Sequence, residues 1–233
     1  MKKIISTALF VSVLLFTAQN VDAQSDTREV GPLDGVHIAG PYEVTLTSGK
    51  EGTISLSGDD EDLENIESYI KKGKLIIKKK NKSWLSDWTS GKVTIRIPIE
   101  EISSVILSGS GKIKSQKTIT ANRFKTVISG SGDIDLEVEA TSVEGTLTGS
   151  GDLRLSGKTD NVEFQITGSG DITAQDLKAQ TGQAQITGSG DIEMHATETL
   201  NGNITGSGDL LCYGSPERQV TKVTGSGDIT IRD

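Results

Sequence analysis

Residues 164–173, Phe-Gln-Ile-Thr-Gly-Ser-Gly-Asp-Ile-Thr, return as residues 184–193, Ala-Gln-Ile-Thr-Gly-Ser-Gly-Asp-Ile-Glu, and again as residues 202–211, Gly-Asn-Ile-Thr-Gly-Ser-Gly-Asp-Leu-Leu. Gly-Ser-Gly occurs seven times in the chain, with its first glycine at Gly109, Gly130, Gly149, Gly168, Gly188, Gly206 and Gly225, at spacings of 21, 19, 19, 20, 18 and 19 residues. Two residues before that glycine stand Leu107, Ile128, Leu147, Ile166, Ile186, Ile204 and Val223. Just past the turn stand Ile113, Ile134, Leu153, Ile172, Ile192, Leu210 and Ile229, and two residues further Ser115, Leu136, Leu155, Ala174, Met194, Cys212 and Ile231. A separation of two is the period of a β-strand, so these side chains share one face.

A ~19-residue unit of this kind cannot bury its apolar face alone, whereas parallel stacking of successive units buries a continuous column of Ile and Leu. The sequence predicts an all-β fold, a right-handed parallel β-helix, the hand following the general preference of parallel crossovers. An antiparallel meander would not superpose identical positions, and a propeller blade needs roughly 40 residues or more. Glycine on both sides of the serine supplies positive φ at a sharp corner. No Gly-Lys-Ser/Thr continuation and no helix pattern follow, which excludes a phosphate-binding loop.

Asp133, Asp152, Asp171, Asp191, Asp209 and Asp228 follow the second glycine, with Lys112 at that place in the first repeat. Stacked about 4.8 Å apart, neighbouring carboxylates repel by roughly 1 kcal/mol in a water-like medium and ~3–4 kcal/mol at an effective dielectric of 20. Two arrangements compensate the row: each Asp accepts turn N–H groups and faces solvent, or calcium ions lie between coils. The first is expected, because calcium β-rolls place Asp in a nonapeptide repeat, so no metal or other cofactor is assigned. Lys112 then ends the row by charge. Ser108, Ser129, Thr148, Thr167, Thr187, Thr205 and Thr224 form an outward hydroxyl ladder that stabilises the sheet and is also suited to sugar hydroxyls.

The chain divides into residues 1–23, 24–30, 31–105 and 106–233. In the first, Lys2 and Lys3 precede the apolar run Ile4 to Phe16, which ends in Val21-Asp22-Ala23: an export signal, shorter than the ~20 residues a spanning helix needs. Residues 24–30 are a short linker. Residues 31–105 are β without a repeat and cap the N-terminal end of the β-helix, with a helical turn over 59–66, a hairpin turning at Lys71-Lys72-Gly73-Lys74, and a strand Val93 to Ile99 in which Pro98 marks an edge or a bulge. Trp84 and Trp88 sit in a basic loop of an aromatic-poor chain and are the partner-binding candidates, with a lid over the apolar column as their other reading. No helical or polar cap follows Asp228-Ile229-Thr230-Ile231, so the last coil is expected to be exposed or paired with another subunit. Residues 106–233 are the repeat.

A net charge of −8 argues against nucleic acid, whose binding rests on phosphate neutralisation. Cys212 stands alone and falls in an inward column, so no disulfide staples the fold and no nucleophile is assigned. His37 and His195 are far apart in sequence, and His195 is expected to face outward. Asp135, Glu137, Glu163 and Glu193 face outward too, but none breaks the repeat as a catalytic carboxylate on such a scaffold would. The reading is of no enzyme. A carbohydrate-active enzyme on the same scaffold and a calcium-stabilised stalk are the alternatives.

The unrepeated segment DGVHIAGPYEVTLTSGKEGTISLSGDDEDLENIESYIKKGKLIIKKK, the strand KVTIRIPIEEISSVILSGSGKI and the iterated ITGSGDI turns together resemble the bacterial head GIN domain family, described as "putative auto-transporter adhesins", over about Gly31 to Asp233. The resemblance implies an exported right-handed β-helix, found in the periplasm, on the outer-membrane surface or released, that presents a polar surface to a glycan or protein partner on the cell surface. It brings no active-site residues with it. The sequence departs from a self-transporting protein in having no stretch expected to form a translocator barrel.

Overall fold

The computed structural model describes residues 24–80 and 92–233. The expected export signal and the loop carrying Trp84 and Trp88 lie outside the described residues. The chain forms a β-solenoid of about seven turns with ~19-residue coils. Strand period and stacking account for it: each coil offers a strand before the Gly-Ser-Gly corner and another after it, and each hydrogen-bonds in parallel to its equivalents above and below.

The first wall continues from β8 (Ser104–Gly109) to β10 (Ile119–Gly130), then to the later halves of β11 (Asp133–Gly149) and β12 (Asp152–Gly168), and on to β14 (Thr181–Gly188), β16 (Thr199–Gly206) and β18 (Arg218–Gly225). The second wall runs from β9 (Lys112–Ser115) through the earlier halves of β11 and β12 to β13 (Asp171–Lys178), β15 (Ile192–His195), β17 (Leu210–Tyr213) and β19 (Ile229–Arg232). Registers join repeat to repeat at identical positions, as in Ile166 with Ile186 and Ile186 with Ile204.

The inward columns are the ones the repeat predicts. Leu107, Ile128, Leu147, Ile166, Ile186 and Ile204 are at most 1% exposed, as are Ile113, Ile134, Leu153, Ile172, Ile192 and Leu210. Burying each such side chain stabilises the fold by about 1.5–3 kcal/mol. Volume is balanced between coils: Gly145 lies beside Phe164, and a Cβ on Gly145 would fall 2.7 Å from the Phe164 ring.

Gly-Ser-Gly corners use their two glycines differently. The first glycine of each has φ between +115° and +135°, which L side chains rarely adopt. The second does not need positive φ; it needs the absence of a side chain. A Cβ on Gly151 would lie 2.1 Å from the Gly132 carbonyl oxygen, and on Gly190 2.0 Å from that of Gly170. Only the first therefore matches the positive-φ role expected of both.

The segment before the repeats caps the stack and also contributes coils of its own. After β1 (Gln24–Gly31), the strands β2 (Gly35–Ala39) and β3 (Glu43–Ser48) form one coil. It is followed by β4 (Gly52–Gly58), α1 (Asp60–Glu64), β5 (Ile66–Lys71) and β6 (Lys74–Lys79), and then β7 (Thr94–Ile99). Strand β2 lies between β6 and β8, and β3 between β7 and β9. Stacking order thus departs from chain order, with β2–β3 held between two coils made later. The outer edge is closed by antiparallel strands, β5 on β6 and β4 on β7, with β1 on β4. Such closure blunts an edge that would otherwise template pairing. The β4 ladder stops at Arg96, so Pro98 costs no hydrogen bond there.

Candidate functional surface

The outer face of the first wall is a set of rows crossing the coils. The hydroxyl ladder is in register, Ser108 beside Ser129, then Thr148, Thr167, Thr187, Thr205 and Thr224. Two residues back on β11, β12, β14 and β16 runs a second row, Thr146, Gln165, Gln185 and Asn203, which ends at Lys222 on β18. A third carries Glu163, Gln183 and Asn201. Because alternate strand residues face the same way, Gln183, Gln185, Thr187, Asn201, Asn203 and Thr205 share one uncharged face. Neighbours across the coils stand ~4.8 Å apart and alternate positions along a strand ~6.6 Å apart. All but Asn201 of these six are exposed. The hydroxyl ladder was legible in the sequence but the amide rows were not, although Gln/Asn-x-Thr recurs before three successive turns, at Gln165, Gln185 and Asn203.

Carboxylates of the Asp row accept hydrogen bonds from the coil that follows. The Asp191 N–H donates to Asp171 Oδ1 at 2.9 Å, that of Asp209 to Asp191 Oδ1 at 2.7 Å, and that of Asp228 to Asp209 Oδ1 at 2.8 Å. Earlier in the stack the N–H groups of Asp133 and Asp171 instead reach the carbonyls of Gly111 and Gly151. Lys112 Nζ lies 3.5 Å from Asp133 Oδ2 at the head of the row. An open cleft of about 250 Å³ lies over its other end, lined by Asp191, Asp209, Asp228, Leu211, Thr230 and Arg232 among others. Among the described residues, no three His, Cys, Asp or Glu side chains converge as a metal site.

The remaining reactive groups are dispersed. His37 Nε2 is 3.0 Å from Ser108 Oγ, and burial followed by the nearby Lys74 charge lowers its pKa. His195 is half-buried rather than freely outward, and its Nδ1 has no hydrogen-bond partner. Burial and then Lys178 lower its pKa, against the opposing Ala179 backbone. Cys212 is buried in the core with its thiol pushed up to about 11 by burial, the opposite of an activated nucleophile. Asp135 lies between Lys114 and Arg154 in the outer register, an ion-balanced surface position. Glu137 and Glu163 are exposed and Glu193 half-buried.

Fold and surface together define a repeat scaffold with a packed interior and a long, ordered outer face. The chain belongs to the family described as "Putative auto-transporter adhesin, head GIN domain", which it matches over residues 32–216. It is similar in structure to a "putative adhesin" from Bacteroides fragilis, with a TM-score of 0.81 and 21% identity over 91% of this chain and 98% of that one. A "putative lipid binding protein" from Parabacteroides distasonis gives a TM-score of 0.72 and 23% identity, covering 92% and 98%. A "putative adhesin" from Parabacteroides merdae gives 0.70 and 16%, covering 92% and 98%. At these identities the likeness is one of fold. No curated protein matches the chain. Among the described residues, no helix is long and apolar enough to cross a membrane.

Proposed function

We propose that this protein is an exported, non-catalytic binding module of adhesin type, acting at the cell envelope, whose first-wall outer face holds a neutral glycan chain across the coils. The observation that carries this reading is the uncharged block of Gln183, Gln185, Thr187, Asn201, Asn203 and Thr205 on a chain with a net charge of −8. Amides and hydroxyls both donate and accept, as sugar hydroxyls do, and their regular spacing suits a repeating ligand. A packed interior leaves recognition to this surface, and the family's description as adhesins agrees with it. Trp84 and Trp88 are proposed as a second contact, stacking on a sugar or protein face.

The test is binding of the purified protein to neutral and acidic polysaccharides, with the triple variant Gln165→Ala, Gln185→Ala, Asn203→Ala beside it. The expected result is binding to a neutral chain that the variant weakens by about tenfold or more, roughly 1.4 kcal/mol, with an unchanged Tm. Equal binding by both proteins would remove this face from the function. Release of new reducing ends would instead favour the carbohydrate-active enzyme.

A further inference from the structure

The two ends of the solenoid differ. At one, β5, β4 and β1 run antiparallel to the coils and close the edge. At the other, no described residue covers β18 and β19. Every residue of β18 is exposed, and Val223 is 41% exposed where its equivalent one coil earlier, Ile204, is 0%. Ile229 and Ile231, which continue the columns of Leu210 and Cys212, are only partly buried.

Backbone directions at this end are fixed. The Arg218 N–H donates to the Glu198 carbonyl, and the Asp228 and Arg232 carbonyls accept from Leu210 and Gly214. Backbone groups of successive strand residues point to opposite sides. Those of Gln219, Thr221, Val223, Ile229 and Ile231 therefore point away from the stack, toward the open edge.

We propose that a second copy of this chain covers this end, in a two-fold dimer that pairs β18 with β18 and β19 with β19, antiparallel. A single extended peptide could pair with one wall only, and would leave the apolar floor of Val223, Ile229 and Ile231 in water. Another solenoid end of the same cross-section meets both walls and the floor at once. The antiparallel cap rules out the opposite end, so the matching surface is the same end of another molecule, an isologous contact. Charge permits it. Residues 216–233 balance Arg218, Lys222 and Arg232 against Glu217, Asp228 and Asp233, whereas the whole chain carries −8. With Thr221 on the two-fold axis, Gln219 faces Val223, Lys222 faces Val220 and Arg218 faces Thr224, so no like charges meet along β18. One open edge per molecule stops the assembly at two. This inference is independent of the glycan-binding face.

The experiment is sedimentation of the full chain over a concentration series, with amide hydrogen exchange followed at Gln219, Thr221 and Val223. The expected result is a monomer–dimer equilibrium in which these amides become protected as dimer forms. The variant Thr221→Pro removes an outward N–H while sparing the bond to β16; it should raise the dissociation constant by about tenfold or more and leave the melting of the dilute monomer unchanged. A monomer at every concentration with freely exchanging amides overturns the proposal. So does protection that is independent of concentration, which would mean that a segment of the same chain covers the edge. Open-ended polymers would overturn the two-fold pairing.

Discussion

At Gly151 the fold tolerates no side chain. An added Cβ would stand 2.1 Å from the Gly132 carbonyl oxygen, and that oxygen belongs to a corner held by identical corners on both sides. Gly151→Ala is expected to cost about 3 kcal/mol, the upper range for overpacking a rigid site, while Ser150→Ala in the same corner should cost less than about 0.5 kcal/mol. Urea unfolding of the two variants checks the contrast; equal costs would mean that the corners can spread. At the aspartates, each of three carboxylates already accepts an N–H from the next coil. We therefore expect the same melting temperature in EDTA and in millimolar calcium. A rise with calcium would make the row a cation site and favour the stalk reading. The inward columns were legible in the sequence because the repeat prints them seven times. The role of the second glycine was not, because it depends on the distance between coils, which no single repeat contains.

Among the elements, the β5–β6 hairpin carries a local conflict. Lys72 is the only described non-glycine residue with positive φ, at 51°, followed by Gly73 at 77°. This two-residue turn favours Asn before Gly, so Lys72→Asn is expected to stabilise the protein by roughly 0.5 kcal/mol, read as a higher midpoint in urea. The hairpin was legible from its turn residues, and α1 as a helical turn, expected over 59–66 and formed over Asp60–Glu64. The insertion of β2–β3 between later coils was not: hydrophobic alternation marks a strand but does not name its neighbour, and the partners of β2 begin at Lys74 and Ser104. The two histidines add a pH dependence at this scale. Both have lowered pKa values in the folded protein, so below an ordinary value near 6.5 the unfolded chain takes up protons first. Their contribution is full above that pH and lost as pH falls through the folded values. The fall in Tm between pH 7 and pH 5 should be smaller in His37→Asn, His195→Asn, with about 1 kcal/mol corresponding to roughly 2–4 °C in a chain of this size.

For the whole molecule, the order in which coils stack decides which parts can be removed. In a solenoid each coil touches only its neighbours, so stability is close to a sum of coil and interface contributions. Removing residues 209–233 takes away β17 together with the last coil, β18 and β19, and transfers the open edge to β15 and β16. The shortened chain is expected to keep a cooperative melt, with Tm lower by roughly 5 °C. Removing residues 35–48 is a different operation on a segment of smaller size. It takes out the coil against which both β6–β7 and β8–β9 pair, and so separates the capped end from the repeats. Those repeats would then begin at an uncovered β8 and β9, with Leu107 and Ile113 facing water. That chain is expected to lose its cooperative transition and to aggregate through the exposed strand edge. Circular dichroism melts of the two deletions decide the matter: a cooperative melt after loss of 35–48 would mean that β6–β7 can dock directly on β8–β9, and that the inserted coil is dispensable to the stack.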